Sequence, residues 1–179
     1  ADGLFAIRKL VYEDKKVSMK ELKEALAWNY DKGLDAQSAG DMTEMIMKAM
    51  QKAGKEADAS TAAGLLKTFI GMKPGEQKTQ RFKEIHDMID EVPKFGNDIP
   101  EIDYFAREVA YTYSKPLQKY NNPRGGKFQA GLYPVSANVP LGGQTGATPD
   151  GRYAHTPVAD GVSPSAGKDV KGPTAAATS

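Results

Sequence analysis

The sequence predicts an α/β arrangement in which a helix-rich layer, residues 1–120, precedes a short strand within a long Gly/Pro-rich segment, residues 121–179. The first observation is the composition: 39 of the 47 charged residues and all seven Met lie in residues 1–120. By contrast, 17 of the last 59 residues are Gly or Pro. The second observation is the spacing of apolar residues, which follows helical three- and four-residue steps only up to about residue 120.

The N-terminal segment is expected to form a buried helix because apolar residues cover much of its circumference. Leu4, Ile7 and Val11 mark one face, and Phe5 and Leu10 lie beside it. The next helix is expected to begin at Ser18, which opens the sequence SMKE. This is the capping-box form, in which the serine hydroxyl accepts a backbone N–H and Glu21 returns the bond.

Residues 32–78 are expected to be an insertion-like elaboration on the surface with loose packing. This stretch is rich in Ala, Met and Lys, its apolar stripes are weak, and it contains several Gly. One helix is expected to open at Asp41, and another to run from about Thr61 to Ile70 before Gly71 and Pro74 end it. The Met cluster within this stretch indicates either core packing or a soft interaction surface.

Two stronger helices are expected before residue 120. The first carries Phe82, Ile85 and Ile89 on one face. The second is expected to be capped by Asp98, with Pro100 tolerated in its first turn.

In the Gly/Pro-rich part, residues 128–141 favour extended chain because they contain Phe, Tyr and Val. Pro134 and Pro140 argue against a long central strand, so a short strand entering a tight apolar loop is expected. The turn signals that follow alternate with large apolar residues, which a disordered tail would lack. We therefore expect an ordered segment that winds against other structure and ends in a proline-initiated helix at Gly172.

Composition excludes several kinds of function. The chain has no Cys, which rules out disulfides, thiolate metal sites and thiol chemistry on these residues. A net charge of +1 gives no reason to expect nucleic acid or an anionic membrane as a partner. The apolar runs are too short to span a bilayer, so a cytoplasmic location is the default expectation.

No catalytic constellation follows from local motifs. His86 has no second ligand at helical spacing, and His155 lies in a loop, so both are expected to be structural and no metal site is predicted. The glycine-rich run 142–146 lacks the Lys-Ser/Thr of a phosphate loop, and its glycines are expected to allow positive φ or close backbone approach. Ser136 is not in a nucleophile-elbow sequence.

Several motifs in order resemble one enzyme family. They are AIRKLVYEDKKVSMKEL (6–22), PKFGNDIPEID (93–103), NPRGG (122–126), ATPDGR (147–152), ADGVSP (159–164) and GKDVKGPT (167–174). Together they resemble the glycyl radical enzymes of the pyruvate formate-lyase superfamily, and residues 131–179 resemble the segment that precedes the radical loop. The similarity covers most of the chain outside the insertion-like stretch.

The resemblance implies a fragment of a ten-stranded α/β barrel from an anaerobic, cytoplasmic enzyme. In this family an iron–sulfur activating enzyme uses S-adenosylmethionine to install a glycyl radical. The radical passes to a cysteine, whose thiyl radical abstracts hydrogen from a small-molecule substrate. Because the chain has neither this cysteine nor the radical loop, we expect it to be an internal piece, inactive alone and binding no cofactor itself. Residues 121–179 would lead toward the radical domain, and the full-length protein would be a homodimer.

The resemblance also suggests a substrate-binding pair, Tyr133 and Val135, in a segment similar to the pocket lining of the glycerol and diol dehydratase-like branch. Tyr133 would supply a hydroxyl or an apolar wall, and Val135 a wall; two core residues are the alternative. The implied function is a lyase that eliminates water or another leaving group from a small polar substrate. A formate acetyltransferase, an arylacetate decarboxylase and a non-catalytic helical interaction module with a flexible tail remain open.

Overall fold

The computed structural model describes residues 1–34, 36–54, 58–133, 135–161 and 165–179. The helices in these ranges are α1 (Asp2–Ile7), which continues as a π-helical stretch (Arg8–Glu13), α2 (Met19–Ala27), α3 (Ala36–Lys52), α4 (Ala59–Phe69), α5 (Glu76–Glu91), α6 (Pro100–Leu117), α7 (Asn138–Gly143) and α8 (Gly172–Thr178). None of the described helices combines the length and hydropathy needed to cross a bilayer.

The hydrophobic core lies where α1, α2, α5 and α6 meet. Its largest fully buried side chains are Phe5, Tyr30, Ile85, Ile89 and Ile102. The expected burial of the apolar face of α5 is confirmed. Along α1 and its π-helical continuation the buried face is centred on Phe5 and Leu10, beside the expected face of Leu4, Ile7 and Val11, and Leu4 is 54% exposed.

Helix starts agree with expectation where a local cap defines them. The capping box at Ser18 is confirmed: its Oγ accepts the Glu21 N–H at 3.1 Å, and the Glu21 carboxylate accepts the Ser18 N–H at 2.8 Å. The helix expected from Thr61 begins at Ala59 under an Asp58 cap and ends at Phe69, before Gly71 with φ of 73°.

Two expected helix starts were wrong. The helix expected at Asp41 already begins at Ala36, because the residues before Asp41 (Ala, Gln, Ser, Ala and Gly) continue the helix without a break. Asp98 does not cap α6: it adopts a left-handed φ of 51°, Ile99 occupies the N-cap position, and the Asp98 N–H donates to the Ser179 hydroxyl instead. Pro100 does occupy the first turn as expected.

The short strand expected within residues 128–141 is not formed by the described part of that segment. Residues 128–133 and 135–137 are irregular, residues 138–141 belong to α7, and Pro134 falls outside the described residues. A strand requires a neighbour to pair with, and the nearest β pairing is an isolated bridge between Asn121 and Lys127. The proline-initiated helix expected at Gly172 is confirmed as α8.

Helices α3 and α4 form a hairpin that is largely exposed. They contact each other, yet only Ala39 and Thr43 are buried in α3, and α4 has no buried residue. Backbone bonds close the base of this hairpin: the Gly71 N–H donates to the Leu34 carbonyl at 2.9 Å, and the Leu34 N–H donates to the Met72 carbonyl at 3.0 Å.

Candidate functional site

Tyr133 and Val135 lie in an exposed apolar segment. Tyr133 is 86% exposed and its neighbour Leu132 is 72% exposed, while Val135 is more than a third exposed. Further along the chain, Val139 and Leu141 on α7 also present their side chains to solvent. So much adjacent apolar surface indicates that this segment normally faces another surface. The substrate-binding role of Tyr133 and Val135 stays a prediction.

His86 is buried in an aromatic cluster. Its ring stacks on Tyr153 with centroids 4.5 Å apart, and it meets Tyr30 edge-on at 4.8 Å. The Nε2 atom lies 2.9 Å from the Gly151 carbonyl oxygen, so Nε2 carries a proton and donates it to that oxygen. These contacts agree with the structural role expected for His86.

The two tyrosines of this cluster connect the helical layer to the Gly/Pro-rich segment. The Tyr30 hydroxyl donates to the Thr148 carbonyl at 2.7 Å, and the Tyr153 hydroxyl donates to the Asp31 carboxylate at 2.9 Å. Burial raises the pKa of both hydroxyls above the ordinary tyrosine value. Both therefore stay protonated at neutral pH and act as hydrogen-bond donors.

Arg152 organises the loop that contains the ATPDGR motif. Its guanidinium donates to the carbonyls of Tyr153 at 3.1 Å and Thr156 at 2.7 Å, and also to those of Thr145 and Gly146. The side chain is buried, and its Nε donates to the Thr148 hydroxyl at 3.1 Å. Because each donor meets an oxygen from the same loop, the arginine sets the loop conformation and has no capacity left for an anionic ligand.

Two carboxylates hold the segment that follows the loop. Asp2 accepts the Phe95 N–H at 2.8 Å and lies 3.4 Å from the Ser165 hydroxyl, which also donates to Asp150. These side chains border a cavity of about 350 Å³. Their hydrogen bonds join the N-terminus to residues 95 and 165. Among the described residues no group of three or more His, Asp or Glu is placed to bind a metal ion.

Asn97 fastens the C-terminal part of the chain. Its Oδ1 accepts the N–H groups of Val170 at 2.9 Å and Lys171 at 3.3 Å, while its Nδ2 donates to the carbonyls of Lys94 and Lys168. An ion pair between Lys168 and Asp90 at 2.8 Å lies beside it. The side chain is 4% exposed, so these hydrogen bonds are shielded from water and hold α8 against the helical layer.

Within the glycine-rich run 142–146, Gly142 is a close-approach site of the kind the sequence suggested. Gly142 is buried at the end of α7, where a Cβ would lie 2.6 Å from the Pro157 Cα and 2.8 Å from the Val158 nitrogen. His155 is exposed and bonds through Nδ1 to the Gly143 carbonyl at 2.7 Å.

Sequence reasoning missed the partners that join the two parts of the chain. Tyr30, Asn97 and Arg152 make contacts to residues that no local pattern identifies. For Arg152 and Asn97 the only available signal was their place inside motifs of the resemblance. For Tyr30 the only available signal was its position at the end of the helically spaced apolar residues Met19, Leu22 and Leu26.

Comparisons with known proteins match this chain to one family. A family model described as "Pyruvate formate lyase-like" matches residues 1–142. The probable dehydratase YbiW of Escherichia coli K12 is 41% identical over 142 residues, which are 76% of this chain and 17% of that protein.

Two solved structures cover 98% of the chain. One, from work on 1,2-propanediol dehydration in Roseburia inulinivorans, is 56% identical with a TM-score of 0.85, and 21% of its chain is covered. The other, a glycerol-bound B12-independent glycerol dehydratase from Clostridium butyricum, is 38% identical with a TM-score of 0.61, and 16% of its chain is covered. The chain thus spans between 16% and 21% of the length of these three proteins. It belongs to the pyruvate formate lyase-like family, within the glycyl radical enzyme superfamily that its motifs predicted.

Proposed function

We propose that this chain works as one part of a glycyl radical lyase that eliminates water, or another leaving group, from a small polar substrate. The observation that carries the proposal is the likeness to the Roseburia inulinivorans protein, which extends over nearly the whole chain at 56% identity. Of the substrates named for the relatives, vicinal diols such as 1,2-propanediol and glycerol are the first to test. Loss of water from such a diol to give an aldehyde is redox-neutral and needs no external oxidant or reductant.

The exposed segment 128–141 supports assembly with further chain. The apolar side chains of its described residues, 128–133 and 135–141, are largely open to water in the 179 residues alone, which costs free energy unless another surface covers them. We propose that the rest of a ten-stranded α/β barrel covers this segment and supplies the neighbour with which it can pair as a strand. In that setting residues 1–120 form a helical layer outside the barrel.

Within that barrel, Tyr133 and Val135 would contact the substrate. Side chains separated by one residue can point to the same side of an extended chain, so both could line one wall. The Tyr133 hydroxyl would orient a substrate hydroxyl by a hydrogen bond, and Val135 would limit the size of the substrate carbon chain. A site that hydrogen-bonds a substrate hydroxyl discriminates strongly against analogues that lack it.

The chemistry of hydrogen abstraction would come from a glycyl radical and a cysteine in the rest of the enzyme, after activation by an iron–sulfur enzyme that uses S-adenosylmethionine. The residues of this chain would position the substrate and support the segment that leads toward the radical. The 179 residues alone are expected to be inactive. The assembled enzyme is proposed to be a cytoplasmic homodimer that binds its substrate, its activating enzyme and no nucleic acid or membrane.

The proposal is tested with the complete reading frame that encodes this chain, co-expressed anaerobically with its activating enzyme. Electron paramagnetic resonance should detect an organic radical, and an alcohol dehydrogenase coupled to NADH should detect aldehyde from 1,2-propanediol or glycerol. A radical without aldehyde from either diol would overturn the assignment to diol dehydration, and the absence of a radical would overturn the radical mechanism itself.

Tyr133→Phe tests the pocket in the same assay, with Tyr120→Phe as a matched control because Tyr120 is also an exposed tyrosine, 63% accessible. Loss of one hydrogen bond to the substrate is expected to lower kcat/KM about tenfold or more for Tyr133→Phe. The control should leave kcat/KM unchanged. Equal kinetics for both variants would remove Tyr133 from the substrate site.

A further inference from the structure

The hydroxyl of Tyr153 is hydrogen-bonded to a base. Its O–H donates to Oδ1 of Asp31 at 2.9 Å, while the second carboxylate oxygen of Asp31 accepts from Lys32 at 3.1 Å. Burial opposes ionisation of Asp31, but the hydrogen bonds from Lys32 and Tyr153 outweigh it and hold the pKa of this carboxyl below its usual value. The carboxylate is therefore ionised at neutral pH and can accept a proton.

The surroundings of the Tyr153 ring oppose the loss of an electron without the loss of a proton. The ammonium group of Lys32 lies 4.8 Å from the ring centroid, and the His86 ring stacks on it with centroids 4.5 Å apart. A nearby cation disfavours positive charge on the ring, most strongly where water is partly excluded. An electron therefore leaves Tyr153 most easily when the phenolic proton leaves as well, and the Asp31 carboxylate is in position to take that proton.

Tyr30 provides a comparison within the same cluster. Its ring meets Tyr153 edge-on with centroids 5.8 Å apart, but its hydroxyl donates to the backbone carbonyl of Thr148. A backbone carbonyl accepts a hydrogen bond but is too weak a base to keep the proton. Of these two neighbouring tyrosines, Tyr153 is the one paired with a group that can be protonated at neutral pH.

Trp28, the one tryptophan of the sequence, lies in the same part of the fold. It is three residues before Asp31 in the sequence and packs against the hydrophobic core. The residue after it, Asn29, accepts the Ala154 N–H at 2.8 Å. This bond holds the backbone next to Tyr153 against the backbone next to Trp28, so the two aromatic residues are brought into one region.

We propose that Tyr153 is a redox-active residue that gives one electron to an oxidising organic radical and its phenolic proton to Asp31. With a peroxyl radical as the oxidant, the electron reduces the peroxyl group to a hydroperoxide anion, which takes a proton from water. The O–H bond of Tyr153 breaks, an O–H bond forms on Asp31, and Tyr153 becomes a neutral tyrosyl radical. Where the oxidised group is Trp28 itself, the electron and a proton from water restore the indole.

This reducing site is independent of the proposed lyase activity. Its residues lie in the turn after α2 and in the loop that contains the ATPDGR motif, outside the exposed segment 128–141. Failure of diol dehydration would leave the redox proposal intact. Failure of the redox test would likewise leave the lyase proposal intact.

Pulse radiolysis of the 179-residue chain tests the proposal. The azide radical is a one-electron oxidant that attacks tryptophan preferentially at neutral pH, and the chain has no Cys to compete for the oxidising equivalent. Radicals of tryptophan and tyrosine have distinct visible absorption bands. The Trp28 radical should decay by a process independent of protein concentration, a tyrosyl radical should appear at the same rate, and both changes should be slower in D₂O.

Variants then identify the donor and the base. Tyr153→Phe should abolish this transfer, whereas Tyr30→Phe and the exposed-tyrosine control Tyr120→Phe should retain the tyrosyl radical. Asp31→Asn keeps an acceptor oxygen but cannot take the proton at neutral pH, so the transfer rate should fall about a hundredfold, the lower end of what a positioned base contributes. Asp31→Glu restores a carboxylate and should recover part of the rate.

A transfer rate that is unchanged in Asp31→Asn would overturn the proposal, as would a rate that is the same in water and in D₂O. A tyrosyl radical that persists in Tyr153→Phe, or that disappears in Tyr30→Phe, would assign the donor to another residue. If Asp31 only held the loop in place, the transfer would not be slower in D₂O and Asp31→Glu would not recover it. The isotope effect therefore separates proton acceptance from packing.

Discussion

Replacing Gly142 by alanine should separate α7 from residues 156–158, which cross it, whereas the same change at Gly143 should not. At Gly142 the new Cβ would lie 2.6 Å from the Pro157 Cα and 2.8 Å from the Val158 nitrogen, and it would also contact the Thr156 carbonyl oxygen. All three are backbone atoms, which cannot move aside by changing a rotamer. At Gly143 a Cβ meets nothing within 4 Å.

The expected magnitude follows from these distances. Ordinary carbon contacts begin near 3.5 Å, so residues 156–158 must move by roughly 1 Å. That movement stretches the bond from the Val158 N–H to the Asn138 carbonyl and the bond from Arg152 to the Thr156 carbonyl. Overpacking of this kind costs about 1–3 kcal/mol. Gly143→Ala makes no such clash, so it should raise the free energy of unfolding by up to about 1 kcal/mol, the usual effect of replacing a glycine in a helix by alanine.

Amide hydrogen exchange followed by mass spectrometry measures the effect locally. The amides of His155 and Val158 are hydrogen-bonded to Thr145 and Asn138, so their protection reports on the contact between α7 and the crossing chain. A cost of 1–3 kcal/mol corresponds to a loss of protection of about 5- to 150-fold for Gly142→Ala. Equal protection in the two variants, or a larger loss for Gly143→Ala, would refute the close-approach argument.

Three further outcomes are expected. Ser18→Ala removes the capping box and should lower the free energy of unfolding by about 1 kcal/mol, whereas Ser18→Thr should keep most of it; thermal unfolding compares the two. Asn97→Ala removes the acceptor for the amides of Val170 and Lys171, so both should exchange hydrogen faster, and the free energy of unfolding should fall by about 2 kcal/mol. Exchange protection of these amides equal to that in the unchanged chain would contradict the role of Asn97. Burial raises the pKa of Tyr30, so above about pH 10 the unfolded chain loses a proton that the folded chain retains. The contribution of Tyr30 to the free energy of unfolding is therefore fully present below about pH 10. Above about pH 10 the free energy of unfolding falls by up to about 1.4 kcal/mol per pH unit. Alkaline unfolding followed by tyrosinate absorbance should therefore be less steep in Tyr30→Phe, and an unchanged slope would count against a buried, protonated Tyr30.

Local signals predicted those parts of the fold that local contacts determine. The capping box at Ser18, the apolar face of α5 and the proline start of α6 need only residues within a few positions of one another, so their spacing predicts them. The start of α3 was placed too late because Asp41 has the form of a cap, although the preceding residues continue the helix. Nothing local distinguishes an N-cap aspartate from one inside a helix.

The connections between the two parts of the chain could not be predicted in the same way. The bond from Tyr30 to Thr148 joins residues 118 positions apart, and the bond from Tyr153 to Asp31 joins residues 122 apart. Their existence depends on where the Gly/Pro-rich segment crosses the helical layer. The strand expected within 128–141 is not formed by the described residues for a similar reason. High β-propensity gives a strand only where a pairing partner is present, and the described chain supplies none there.

The closed base of the α3–α4 hairpin has a consequence for how this region can change in evolution. The chain leaves the helical layer at Leu34 and returns at Gly71, and the two residues are joined by a backbone hydrogen bond. The separation of the exit and entry points is therefore independent of the number of residues between them. Lengthening, shortening or exchanging the hairpin would leave the packing of α2 against α5 unchanged. This position can therefore accept other surface structures without a change in the hydrophobic core.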